Sequence, residues 1–185
     1  EKPEIALRVS LLFQEKTDFS LPMTSTSGTA LINGTAGLPT SMTLRFQSGI
    51  AKDTLIYGSI HDTKWGKSQI YFDNGAGTLT QKSTYDNSTT YNLGVARKLN
   101  EDFGFSASYT YEAGTAPTGT SALATTNGKT SLSLGGKYTK GRASFSLGFS
   151  RVKVGDKELT AASGFPSKFT DNTTNVVAAK IGLNF

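Results

Sequence analysis

The chain has 185 residues, is 36% hydrophobic with a mean hydropathy of −0.27, and carries a formal net charge of +5. No apolar run approaches the ~18 residues that a membrane-spanning helix needs, which excludes helical spans but not strands that show lipid every other side chain. The absence of cysteine excludes disulfides and thiolate metal sites, and Lys and Arg are scattered singly rather than clustered among aromatics, against a nucleic-acid partner.

Read in chain order, alternation marks eight segments. In the first, Ile5, Leu7, Val9, Leu11 and Phe13 oppose Glu4, Ala6, Arg8, Ser10, Leu12 and Gln14. In the second, Met42, Leu44, Phe46 and Ile50 oppose Thr43, Arg45, Gln47 and Gly49. The third, about 53–65, has ambiguous facing: Ile56 and Ile60 compete with Leu55 and Tyr57. The fourth sets Tyr91, Leu93, Val95 and Leu99 against Asn92, Gly94, Ala96 and Lys98. In the fifth, Phe103, Phe105, Ala107, Tyr109 and Tyr111 oppose Gly104, Ser106, Ser108, Thr110 and Glu112. The sixth sets Leu132, Leu134 and Tyr138 against Ser131, Ser133, Gly135 and Lys137. The seventh sets Ala143, Phe145, Leu147 and Phe149 against Ser144, Ser146, Gly148 and Ser150. The last sets Val177, Ala179, Ile181, Leu183 and Phe185 against Val176, Ala178, Lys180, Gly182 and Asn184. A period of two with no sustained helical spacing predicts an all-β chain.

The connections separate two all-β architectures. Tight turns are predicted at Ala51-Lys52-Asp53, Asn100-Glu101-Asp102 and Thr139-Lys140-Gly141, and long linkers at 16–40, 66–88, 113–127 and 153–171. They alternate long and short throughout. An antiparallel up-and-down transmembrane β-barrel shows this asymmetry, with tight periplasmic turns and long external loops. A soluble sandwich is the competing reading and has no reason to keep it. Phe13, Trp65, Tyr91, Phe103, Tyr111, Tyr138 and Phe185 fall near segment ends, where aromatic rings anchor at a lipid–water boundary.

The predicted inward face is poor in bulk: Gly104, Ser106, Ser108, Ser131, Ser133, Gly135, Ser144, Ser146, Gly148, Ser150, Ala178 and Gly182. A closed eight-stranded barrel is filled by its own side chains, and unfilled volume costs stability. Such a face suits a wider barrel enclosing a plug, a lumen or a ligand; the alternative is local pairing with Arg8, Arg45, Lys98, Lys137 and Lys180. Glu1-Lys2-Pro3 leads directly into strand pattern without a signal peptide, as expected of a processed chain or of part of a longer one. One domain is assigned, 1–185.

Pro3-Glu4-Ile5-Ala6-Leu7-Arg8, Met42-Thr43-Leu44, Thr63-Lys64-Trp65, Tyr91-Asn92-Leu93-Gly94-Val95, Asn100-Glu101-Asp102-Phe103-Gly104-Phe105 and Ile181-Gly182-Leu183-Asn184-Phe185 together resemble, in order and spacing, the C-terminal half of the long-chain fatty-acid transporter (FadL) family. The resemblance implies the last eight or so strands of a fourteen-stranded barrel in the outer membrane of a Gram-negative bacterium. It implies transport of long-chain fatty acids or similar hydrophobic compounds, contact with outer-membrane lipid and lipopolysaccharide, and assembly by the barrel assembly machinery through the strand ending in Phe185. The family's N-terminal plug and its kinked early strand have no counterpart in this sequence. Thr80-Gln81-Lys82 resembles a family region that contacts a fatty-acid head group, which makes Lys82 a candidate ligand residue, with Arg45 as a second inward cation and Trp65 at a strand end. Their bland readings are a solvated loop lysine, a lumen cation and an interface anchor.

No cofactor, metal cluster or phosphate loop is indicated. An outer-membrane lipid-modifying enzyme would need a nucleophile and base, and His61-Asp62 is the nearest approach to one. Neighbouring strand residues point to opposite faces, so Asp62 is not expected to orient His61, and no catalytic residue is assigned. A small structural or adhesive barrel working through its Thr- and Ser-rich loops is a third reading. The sequons at Asn33, Asn87 and Asn172 are read as chance in such loops.

Overall fold

The computed structural model describes residues 7–24, 31–73, 78–116, 118–119, 123, 126–161, 164 and 166–183. In chain order the strands are β1 (Arg8–Gln14), β2 (Thr17–Thr24), β3 (Leu31–Leu38), β4 (Ser41–Ala51), β5 (Thr54–Thr63), β6 (Tyr71–Asp73), β7 (Leu79–Gln81), β8 (Ser88–Lys98), β9 (Phe103–Glu112), β10 (Thr118–Gly119), β11 (Lys129–Lys140), β12 (Ala143–Val154), β13 (Lys157–Leu159), β14 (Ser167–Phe169) and β15 (Thr173–Leu183). Eight of them form one antiparallel meander in the order β1-β4-β5-β8-β9-β11-β12-β15. These are the eight predicted segments. The expected residues Glu4, Ile5, Ala6, Asn184 and Phe185 lie outside the described ones.

Three tight turns join the strands at one end, each with its own device. Asp53 takes a positive φ of 58° between β4 and β5, and Gly141 one of 56° between β11 and β12, where lack of a Cβ removes the penalty. Between β8 and β9 the Asn100 side chain accepts from the backbone N–H of Asp102 at 3.0 Å and of Phe103 at 2.8 Å, closing an Asx turn. At the other end the long linkers are not bare connections. They carry a four-stranded sheet, β2-β3-β6-β7, and a three-stranded one, β10-β13-β14. Strands of two or three residues such as β6, β7, β10, β13 and β14 are too short to carry a period, and Gly34 and Gly37 interrupt β3. In β2, Phe19, Leu21 and Met23 do alternate, a signal that the sequence reading passed over. Pro22 is tolerated because β2 is an edge strand, where a missing N–H breaks no ladder.

Register brings the apolar side chains into rows. Phe103, Tyr138, Phe145 and Ile181 form one row, and Ala107, Leu134, Phe149 and Val177 a parallel one four residues away, with Phe105, Gly136, Leu147 and Ala179 between them. On the other half of the sheet Leu11, Leu44, Ile60, Tyr91 and Tyr111 are aligned in the same way. Register also resolves the third segment: Ile56 and Ile60 join the apolar face, and Leu55 and Tyr57 turn to the other. There the Tyr57 ring lies across Gly94, so closely that a Cβ would overlap it.

Nearly all of these apolar side chains stay exposed: Leu11 at 65%, Leu93 at 55%, Leu147 at 51% and Ile181 at 74%. Among the described residues the only buried hydrophobic one is Leu159, in the loop sheets. A soluble sandwich buries the inner faces of both sheets, so this is not one. The fold is one curved β wall. Among the described residues β1 and β15 do not pair, and the wall is open along both edges.

Candidate functional site: a trough of small residues beneath a loop layer

On the face opposite the apolar rows, the residues predicted to lack bulk meet across strands. Ala96, Ser106, Gly135, Gly148 and Ala178 stand side by side on β8, β9, β11, β12 and β15, and Gly94, Ser108, Ser133 and Ser150 form the next row. Above them lie two contiguous hollows of about 690 and 750 Å³ that share Leu55, Ala96 and Ser106 in their walls. This is the concave side of the wall. Its shallowness is not a packing requirement everywhere: a Cβ on Gly148 would meet nothing closer than 3.9 Å, and one on Gly104 nothing closer than 3.7 Å.

Cations edge this trough. Lys98, Gly104, Lys137, Ser146 and Lys180 occupy a single row, so lysines alternate with small residues. Neighbouring strands lie about 4.8 Å apart, which spaces the lysine backbones by about 10 Å. Arg8 and Arg45 line the second hollow together with Tyr57 and Asn92. Local pairing was the competing expectation for these five cations. Among the described residues none of the five has a carboxylate partner.

Toward the loop end the same face becomes a satisfied polar lattice. Asn92 donates to Thr110 Oγ1 at 2.9 Å, and Thr90 to Glu112 at 2.5 Å. Glu112 also pairs with Lys129 at 3.3 Å. His61 sits between the buried hydroxyls of Thr43, at 2.7 Å, and Thr63, at 2.9 Å. Asp62 faces the other way, bonded to Lys64 at 2.7 Å and to Thr89 at 2.9 Å. His61 and Asp62 therefore do not form a catalytic couple, because a strand sends them to opposite faces.

Of the three ligand candidates, Arg45 lies on the concave face, whereas Lys82 and Trp65 belong to the loop layer. Lys82 follows β7, is exposed, and its N–H donates to the Ile70 carbonyl at 2.8 Å. Trp65 lies two residues past the end of β5, in a short 3₁₀ turn, Trp65–Lys67, with its ring edge-on to Tyr85 at 5.7 Å. Both rings wall a cavity of about 320 Å³ with Glu112 and Lys157. Gln69 holds this region together. Its side chain donates to the Tyr85 carbonyl at 2.8 Å and accepts from Ser83 Oγ at 2.8 Å and from the Tyr85 N–H at 2.9 Å. Sequence reasoning missed both the Gln69 hub and the lysine row. Alternation assigns a lysine to a face, but only register sets it beside another.

Solved structures share this fold. The chain superposes on a Pseudomonas aeruginosa FadL homologue with a TM-score of 0.62 at 16% identity, over 82% of this chain and 36% of that one. It superposes on the CymD monoaromatic hydrocarbon channel at 0.61 and 14% identity, over 97% of this chain and 47% of that one. The P. putida toluene transporter TodX gives 0.58 at 16% identity, over 100% and 47%. The fold is a FadL-like barrel wall. The chain spans less than half the length of each of these FadL-like chains. No protein-family model and no curated protein matches it in sequence.

Proposed function

We propose that the chain forms part of an outer-membrane barrel of Gram-negative type that passes long-chain fatty acids or similar hydrophobic compounds. The observation that carries this is the division of the wall into an exposed apolar side and a concave side floored by Gly, Ala and Ser. Lipid is the solvent that such an apolar side requires, and the trough leaves room for an elongated guest. The likeness to channels for hydrophobic compounds supports the reading. A sheet edge in hydrocarbon leaves backbone groups unsatisfied at several kcal/mol each, so further strands close the barrel against β1 and β15. The fourteen-stranded arrangement, with this chain as its C-terminal part, meets that need. Phe185 is then part of the signal that the barrel assembly machinery reads.

The guest is an acid on this reading. Lys82 in the loop layer meets its carboxylate first and Arg45 on the concave face receives it further in, Trp65 lines the entrance beneath the loops, and the lysine row keeps the trough positive. A neutral hydrocarbon gains nothing from these cations. Uptake of a labelled long-chain fatty acid by cells carrying the protein, compared with an alkane of equal length, tests this. Faster acid uptake that is lost when Arg45 and Lys82 are both changed to Ala is expected. Uptake of neither compound would overturn the transport reading, and its absence from the membrane fraction would overturn the location. A lipid-modifying activity finds no support in the geometry of His61.

A further inference from the structure

The apolar face does not end uniformly. On β12 the outward residues run Ala143, Phe145, Leu147, Phe149, Arg151 and Lys153, so the last two positions before the loops are cationic. Register places Arg151 beside Leu132 and Asn175, with Tyr109 one strand beyond Leu132, and Lys153 beside Thr130 and Thr173. Arg151 and Lys153 are two residues apart on one face, about 7 Å along the strand. Both are exposed, and among the described residues neither has a carboxylate partner. Immediately inside them the outward surface opens into a cleft of about 270 Å³ between Tyr109, Leu132, Leu134 and Phe149, with the two cations at its rim.

An apolar cleft capped by two unpaired cations has the polarity of an amphiphile with an anionic head. Most other formal charges on this face have an explanation. Asp62 and Lys64 neutralise each other on β5 and just beyond it, and Arg97 stands at the tight-turn end of β8. Arg151 and Lys153 instead stand at the loop end, level with the head groups of the outer leaflet if the wall spans an outer membrane. We propose that Arg151 and Lys153 bind the phosphate of an outer-leaflet lipid whose acyl chain fills the cleft between Tyr109, Leu132 and Phe149. Arg supplies a planar fork for a phosphate and Lys a point charge, and partial desolvation beside the aromatic rings strengthens both. This inference rests on the outer-membrane reading and says nothing of the guest in the trough.

Detergent-released full-length protein, exchanged into a neutral detergent, is incubated with bisphosphorylated lipid A, with the same lipid after phosphatase treatment, or with inorganic phosphate. Bound lipid is counted by native mass spectrometry. Retention of the phosphorylated lipid only is expected, falling at least ten-fold in the Arg151→Gln, Lys153→Gln double variant and unchanged in Arg97→Gln, an outward cation at the tight-turn end. Arg151→Lys keeps the charge and is expected to retain most of the binding; heat-modifiable mobility on gels reports that each variant is folded. Equal retention of dephosphorylated lipid, competition by inorganic phosphate at the lipid's own concentration, or full retention by the folded double variant would overturn the site. Recovery of the protein as a soluble species without detergent would instead overturn the membrane reading on which it rests.

Discussion

Leu134→Arg is the sharpest test of the membrane-facing assignment. Leu134 lies in the row Ala107–Leu134–Phe149–Val177 and is 41% exposed, so the new side chain meets no packed neighbour and any cost comes from its surroundings. Tyr138 lies on the same face of the same strand, four residues toward the tight turn. Four residues span about 14 Å of strand, or about 10 Å of depth at a tilt near 40°. In a bilayer an outward arginine costs about 2–4 kcal/mol at mid-depth and about 0–1 kcal/mol near the interface. Leu134→Arg should therefore lower the folding constant by roughly 30- to 700-fold, at about 1.4 kcal/mol per decade, and Tyr138→Arg by less than about ten-fold. Urea titration in phospholipid vesicles, read by tryptophan emission and heat-modifiable mobility, measures both. Ser133→Arg, on the trough side, should be close to neutral. Equal costs at 134 and 138, or a larger cost at 133 than at 134, would refute the assignment.

Gly148→Phe should fold, because its Cβ has open space, yet lower the flux of hydrophobic solute several-fold by filling the trough, in a liposome uptake assay. Gly94→Val should lose about 1–3 kcal/mol through overlap with the Tyr57 ring, and Tyr57→Ala in the same chain should restore most of it in a double-mutant cycle. Gln69→Ala should strip a bond from fully buried Ser83 and loosen the loop layer by about 1–3 kcal/mol, seen as faster amide exchange at Ile70 and Tyr85 while the strands of the wall are unchanged.

How much of this was legible beforehand varies by element. The eight wall strands and their tight turns were open to reading because a half-solvated strand must alternate, and Asn100, Asp53 and Gly141 supply turn chemistry locally. The third segment was not, since Leu55, Ile56 and Tyr57 are all apolar; pairing with β4 and β8 was needed to turn Ile56 outward. Most loop strands escaped notice because segments of two or three residues, such as β10 and β13, carry no period; β2 and β3, of eight residues each, were absorbed into a long linker although Phe19, Leu21 and Met23 alternate in β2. Trp65 looked like a strand-end anchor, and its partner Tyr85 lies twenty residues on.

By itself, then, the sequence determined which residues share a face and how the connections alternate in length. Both follow from a repeat of two and from the backbone demands of short turns. The tertiary structure decided which strands are neighbours in space and in what register. It thereby aligned Lys98, Lys137 and Lys180 above a floor of small residues, set Arg151 and Lys153 over an apolar cleft, and, among the described residues, left both edges of the wall unpaired. The reason is that alternation is a property of one strand, whereas register is a property of two.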